Sequence, residues 1–258
     1  LGAIAGSQTF VKHQLYRFPE PATKTFPQPA TFTLEIGHFI DLVNGTATPA
    51  NVDWRVAGRR SRGLAALAGV RAGQSYIAVE QERGIWQVTQ VAGGQGINGI
   101  AFLSETDDDE VIRVGVAVGD GGTLLRSTDG GKTWSAITRP AGVDTSTRFV
   151  AVSASAHGTV GNRWLVAVAA PDVVLASQDG ATWTAVPPPS GIAGELTAFA
   201  FTGNTVGQLA SSSGQIWRLF LPAGASLPNW TFPEQFRQTQ APLRFVLHNR
   251  QQNEAGGD

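Results

Sequence analysis

Short apolar runs broken by glycine- and aspartate-rich turns recur along most of the chain. Within a run small and large apolar side chains alternate, as in Phe149-Val-Ala-Val-Ser-Ala154. Such a run fits a strand buried on both faces, packed between neighbouring sheets. Four strands are predicted at roughly 97–104, 111–118, 122–127 and 133–138, and four more at roughly 147–155, 163–169, 173–177 and 182–187. Weaker runs flank them. They lie at 195–201, 207–212, 214–219 and 229–232 downstream, and at 64–68, 75–79 and 84–89 upstream, preceded by 31–36, 39–43 and 52–56.

One hairpin is spelled twice, as Ser127-Thr-Asp-Gly-Gly-Lys-Thr-Trp134 and as Ser177-Gln-Asp-Gly-Ala-Thr-Trp183. Asp followed by Gly between two strand-like runs marks a tight turn, because Gly accepts positive φ without strain and Asp bonds back to the turn amides. The trailing Trp begins the return strand as an apolar anchor. The match extends upstream, with Val116 to Ser127 lying over Val166 to Ser177 at an offset of 50, falling to 49 after a one-residue deletion inside the second hairpin. A repeat of that length holds four strands and their turns. Trp54, Trp86, Trp134, Trp183 and Trp230 mark the units. The last three intervals are nearly equal and the first is too short, so either one unit lacks its outer strand or Trp86 sits on a third strand.

In spelling and placement both hairpins resemble the Asp-box, or BNR repeat, of β-propellers. The phrase running from Val118 to Trp134 is similar to that of photosystem II assembly factors and their non-photosynthetic bacterial relatives. The resemblance implies an all-β propeller of about five four-stranded blades, or six if strands from both chain ends (8–16 and 243–248) close one blade between them and remove the last open edge. It also implies that Ser127, Asp129, Gly130, Gly131, Thr133 and Trp134, with Ser177, Asp179, Gly180, Thr182 and Trp183, are structural. They would hold the hairpin between third and fourth strands, on the rim away from the usual ligand face. A single domain is expected over 1–258, with 1–30 supplying a strand and a proline-rich extended arm and 251–258 a polar tail. Sialidases share the Asp-box, but their late tyrosine nucleophile has no counterpart here, where only Tyr16 and Tyr76 occur, and Arg17 in Tyr16-Arg-Phe-Pro19 is only superficially similar to their substrate-binding arginine.

Composition agrees with many short strands joined by tight turns: 31 Gly, 14 Pro and only 15% charged residues. A formal net charge of -1 removes the electrostatic argument for nucleic acid or an acidic membrane as partner. No cysteine is present, so disulfides and thiolate metal sites are excluded. His13, His38, His157 and His248 lack metal-ligand spacing, and neither a metal nor a cofactor is expected. No apolar run approaches the roughly 20 residues of a membrane span, so a water-soluble domain is expected. The missing initiator Met points to a processed product or a fragment, and residues 1–6, too short and uncharged to be a signal peptide themselves, are compatible with following a removed one.

The candidate ligand rim is the one opposite the Asp-boxes. Asp120 and Asp172 are expected there between second and third strands, and Asp144 and Glu195 between blades. Two converging carboxylates are what a glycosidase needs, while turn formation accounts for each of them singly. Gly58-Arg-Arg-Ser-Arg62 is expected to join two blades on the same rim, making Arg59, Arg60 and Arg62 candidate contacts for a carboxylate, a phosphate or an acidic protein surface. The acidic run 105–110 reads as a solvated hairpin tip on the Asp-box side, since it lacks the spaced ligands of a calcium loop. The expected function is a non-catalytic binding or assembly module that docks protein partners, in an exported, surface or virion complex. The alternative is a carbohydrate-binding or glycoside-hydrolysing propeller, which would show an exposed Trp beside paired carboxylates.

Overall fold

The computed structural model describes residues 9–11, 31–33, 52–61, 64–82, 85–92, 95–104, 112–155, 163–202 and 206–220. A short strand β1 (Thr9–Val11) pairs antiparallel with β2 (Thr31–Thr33). Four larger antiparallel sheets follow in chain order. The first contains β3 (Asp53–Ser61), β4 (Leu64–Arg71), β5 (Gln74–Glu82) and β6 (Ile85–Val91). The second contains β7 (Gln95–Ser104), β8 (Ile112–Asp120), β9 (Leu124–Ser127) and β10 (Ser135–Ala136). The third contains β11 (Arg148–Ala154), β12 (Leu165–Ala170), β13 (Val173–Ser177) and β14 (Thr184–Ala185), and the fourth β15 (Leu196–Phe201), β16 (Val206–Ser211) and β17 (Ile216–Phe220). Within each sheet the strands pair in sequence order, and the first strand of each packs against the first strand of the next, β3 on β7, β7 on β11 and β11 on β15. This radial stacking makes the chain an all-β propeller whose blades are these sheets.

Alternation along the strands decides which neighbour each side chain meets. On β12, Leu165, Ala167 and Ala169 join the core shared with the second blade, while Val166 and Val168 join the core shared with the fourth. On β8, Val116 and Val118 face the third blade and Ala117 faces the first. Each middle strand therefore sits between two sheets, which is why these runs are apolar throughout instead of alternating apolar with polar. Near the axis the first strands meet backbone to backbone. A Cβ at Gly58 would stand 2.6 Å from the Ile100 carbonyl oxygen, and one at Gly99 would stand 2.8 Å from the Val152 nitrogen.

The second and third blades match their predicted strands closely, except that each outermost strand is only two residues long. One grouping differs from the expectation. Trp54 lies on β3 and Trp86 on β6, the first and fourth strands of one blade, so the short interval between them is the width of a single sheet. Residues 52–56 thus open the blade that continues to 91 and do not belong with the runs before them. The strands predicted at 229–232 and 243–248, the arm at 19–29, the acidic run at 105–110 and the tail at 251–258 lie outside the described residues. No helix among the described residues is long and apolar enough to cross a membrane.

Candidate functional site

Turns alternate between the two ends of an antiparallel blade. The hairpins joining first to second and third to fourth strands share one rim, while the hairpin joining second to third strands and the connectors between blades share the other. The Asp-boxes stand on the first of these rims. Ser127 Oγ accepts from the Gly131 amide at 2.8 Å, and Ser177 Oγ accepts from the Gly180 amide at 2.8 Å. Asp129 Oδ1 accepts from the amides of Lys132 (3.0 Å) and Thr133 (2.9 Å), and Oδ2 accepts from Thr133 Oγ1 at 2.6 Å. Asp179 Oδ1 accepts from the amides of Ala181 and Thr182, both at 2.8 Å. Trp134 Nε1 donates to the Gly131 carbonyl (3.0 Å) and Trp183 Nε1 to that of Gly180 (3.1 Å). Gly180 is therefore the counterpart of Gly131, and the residue deleted from the second box is the equivalent of Gly130.

Both boxes are fastened to the preceding blade. Trp183 belongs to the core between second and third blades, and Trp134 packs on the core between first and second, edge-on to Phe102 at 5.9 Å between ring centres. The box carbonyls accept from the same neighbour: Gly130 from Arg60 Nε (3.0 Å), Lys132 from Thr89 Oγ1 (3.1 Å) and Asp179 from Arg126 Nε (3.0 Å). This corrects the expectation for the arginine cluster. Arg60 lies on β3 at its Asp-box end, and besides Gly130 its guanidinium serves the Glu80 and Gln81 carbonyls at 2.8 and 3.1 Å. The physical reason is that residues 53–61 are one continuous strand and not a connector, so the β3 end near Arg60 falls on the rim of the boxes. Arg59 is on the same strand, and Arg62 lies outside the described residues.

The opposite rim receives Asp120, Asp144, Asp172 and Glu195, as expected. Asp120 closes β8, where Asn98 Nδ2 donates to its Oδ1 (2.8 Å) and to the Phe149 carbonyl (2.9 Å), and Arg148 Nε stands 3.7 Å from the same carboxylate. The connector 139–147 folds over the β8–β9 hairpin. Gly122 donates its amide to the Thr147 carbonyl (2.7 Å), while Arg139 donates to the carbonyls of Gly122 (3.2 Å) and Gly121 (3.0 Å). Asp144 Oδ1 accepts from Ser146 Oγ (2.6 Å) and the Ser146 amide (2.7 Å), and these bonds, with those from Thr147, hold its carboxyl below the usual range. That direction is opposite to what a general acid requires. Asp172 is exposed on the β12–β13 hairpin of the next blade, and Glu195 is exposed just before β15. Sequence reasoning missed Asn98, Arg139 and Arg148. The two arginines bracket the connector predicted to cross this rim, which is the signal that would have found them.

A family model described as photosynthesis system II assembly factor YCF48 matches residues 78–226, more than half of the chain. The chain belongs to this YCF48 family. No curated protein matches it. Among solved structures, one titled YCF48 bound to D1 peptide is similar at 24% identity over 48% of this chain and 37% of that chain, with a TM-score of 0.39. YCF48 from Cyanidioschyzon merolae is similar at 25% identity over 53% of this chain and 36% of that chain, again with a TM-score of 0.39. The matched part spans little more than a third of either relative's length. The YCF48 match takes in both Asp-boxes, the β8–β9 hairpin and the 139–147 connector, whereas Arg60 precedes it. In this YCF48-family chain Trp54, Trp164, Trp183 and Trp217 are buried, and Trp86 and Trp134 pack half-buried against the cores. No described tryptophan stands exposed beside carboxylates as a sugar platform would.

The Asp-box carboxylates carry a pH dependence. Burial works against ionisation of Asp129, yet the bonds from Thr133, Ser127 and Lys132 prevail and hold it below its ordinary value, and Asp179 is lowered in the same way. A lowered folded-state value stabilises the fold above the unfolded value of about 4, and that contribution is lost as pH falls through the folded-state value. Thermal midpoints followed by circular dichroism are therefore expected to drop below about pH 4. Asp129→Asn with Asp179→Asn is expected to lower the midpoint at neutral pH and to flatten that acid limb.

Proposed function

We propose that the chain is a non-catalytic docking module for the assembly of a protein complex, and that an extended segment of its partner lies across the rim opposite the Asp-boxes. The observation that carries this reading is membership of an assembly-factor family through a region that contains the β8–β9 hairpin and the 139–147 connector of that rim. The geometry supports it. The β8–β9 hairpin and the 139–147 connector are tied together by Gly122 and Arg139, giving a rigid platform that needs little ordering on contact. Arg148, whose side chain is 65% exposed, and the exposed Arg71 beside the β4–β5 turn present guanidinium groups suited to carboxylates on the partner. The YCF48 relative was solved with a D1 peptide, and what carries over to this chain is the class of partner, a polypeptide segment, and not that particular protein. An exported or virion-associated setting is part of the proposal and is tested by fractionation of the source cells.

The docking reading is tested by crosslinking in the source cells followed by affinity capture. Arg71→Glu with Arg148→Glu is expected to reduce partner recovery about tenfold, the effect of losing roughly 1.4 kcal/mol. Lys132→Glu on the Asp-box rim is expected to leave recovery unchanged. Recovery lost with Lys132→Glu and kept with the arginine pair would overturn the assignment of the rim.

A further inference from the structure

The chain has one run of consecutive prolines, Pro187-Pro-Pro189, and it follows closely on β14, the outermost strand of the third blade. Proline fixes φ near about −65°, and a residue that precedes proline is driven out of the helical region into the extended one. Val186, Pro187 and Pro188 all precede proline, so the stretch 186–189 is held in the polyproline II form, with about three residues per turn. Burial follows that period. Val186 is 3% exposed in the core between third and fourth blades, Pro189 three positions on is buried, and Pro187 and Pro188 between them are exposed. One face of the segment is seated and the other two stand out of the surface. Both ends are tied. The Val186 amide donates to the Val174 carbonyl at 2.9 Å, and beyond the run Gln215 Nε2 donates to the Gly191 carbonyl at 3.1 Å while its Oε1 accepts from the Ala193 amide at 2.6 Å. The second blade has the same exit, where the Ile137 amide donates to the Leu124 carbonyl at 3.0 Å, Ile137 and Pro140 are half-buried, and Thr138 and Arg139 are exposed. The two displayed prolines are what set the third blade apart.

We propose that Pro187-Pro188 is a recognition ridge that enters the aromatic-lined groove of a proline-reading domain on a partner protein. Such grooves pack aromatic rings against successive pyrrolidine rings, and they exploit a segment that forms no internal hydrogen bonds and is ordered before contact. This ridge meets both conditions. Its φ angles are set by proline and its ends are pinned by Val174 and Gln215, so little conformational freedom is left to lose on binding. Val186 and Pro189 are seated on the core, so a reader that leaves the fold intact grips the adjacent pair between them. The proposal does not rest on the docking reading. There the partner supplies the extended segment, whereas here this chain supplies it.

The test titrates the full chain into a panel of purified, isotope-labelled WW, SH3 and EVH1 domains and follows their groove aromatics by nuclear magnetic resonance. At least one domain is expected to shift at its groove, and an oligoproline peptide is expected to reverse the shift. Pro187→Thr with Pro188→Arg installs the pair that the second blade carries at these positions, so the fold is expected to be kept, as circular dichroism checks, while binding weakens about tenfold or more. Pro187→Ala with Pro188→Ala is expected to give the same loss without an added charge. Arg71→Glu with Arg148→Glu is expected to leave this binding unchanged, so its failure and the failure of the docking rim are read separately. A panel in which no domain shifts overturns the proposal. Groove shifts that persist with both proline variants overturn it as well, by placing the contact elsewhere.

Discussion

Replacing Trp183 with alanine is expected to cost about 3–5 kcal/mol of unfolding free energy, the range for emptying a buried tryptophan site. The side chain is 8% exposed and lies in the core between second and third blades. Its loss leaves a cavity at the seam and removes the donor to the Gly180 carbonyl, a bond that holds the box closed. The space beside Gly180 is tight, since a Cβ there would stand 2.9 Å from Val116 Cγ2 and 3.1 Å from Val114 Cγ1 of the preceding blade, which limits how far the hairpin can collapse into the cavity. Trp134, half-buried in the equivalent place, is expected to cost less when truncated. Urea denaturation of the two variants gives the comparison, and a Trp183→Ala loss no larger than that of Trp134→Ala would show that the box is not fastened as described.

Gly122→Ala is expected to be the most damaging single change on the opposite rim. Gly122 has φ +65, a left-handed conformation that costs an alanine about 1–2 kcal/mol. Its Cβ would also run into the Asp144 carbonyl oxygen and come within 2.9 Å of Arg139 Nε. The connector cannot simply retreat, because the Gly122 amide donates to the Thr147 carbonyl at 2.7 Å, so overpacking adds about 1–3 kcal/mol. Gly142 separates the two effects. It has φ +84 with nothing within 4 Å of its would-be Cβ, so Gly142→Ala is expected to show the conformational cost alone. The two variants are compared by denaturant midpoint and by partner capture. Gly122→Ala is expected to lose both stability and docking, and Gly142→Ala to lose some stability while docking is kept.

Much of this was legible before any coordinates. The repeated spelling around Ser127 and Ser177 located two blades strand by strand, because a short apolar run of alternating small and large side chains bounded by an Asp-Gly turn is fixed by local chemistry. The faces were legible too: Asp120, Asp144, Asp172 and Glu195 reached their expected rim, since turn alternation follows from strand order alone. The arginine cluster was not. The segment Gly58-Arg-Arg-Ser-Arg62 read as a connector between blades, whereas β3 runs through Arg59 and Arg60 into its last pairs with β4 and Arg60 is held by carbonyls of Glu80, Gln81 and Gly130. Those acceptors lie 20, 21 and 70 positions away, and a contact of that kind leaves no trace in a local pattern. Asn98 escaped notice for the same reason, because its partners, the Asp120 carboxylate and the Phe149 carbonyl, come together only when two blades stack.

The central claim is that partners dock on the rim opposite the Asp-boxes, and the most direct test is the hydrogen-exchange footprint of a crosslink-identified partner on this chain. The account predicts slowed exchange at residues 119–123 and 139–148 with little change at 127–134 and 177–183. Protection confined to the two Asp-boxes, with the hairpin and connector exchanging as in the free chain, would contradict it.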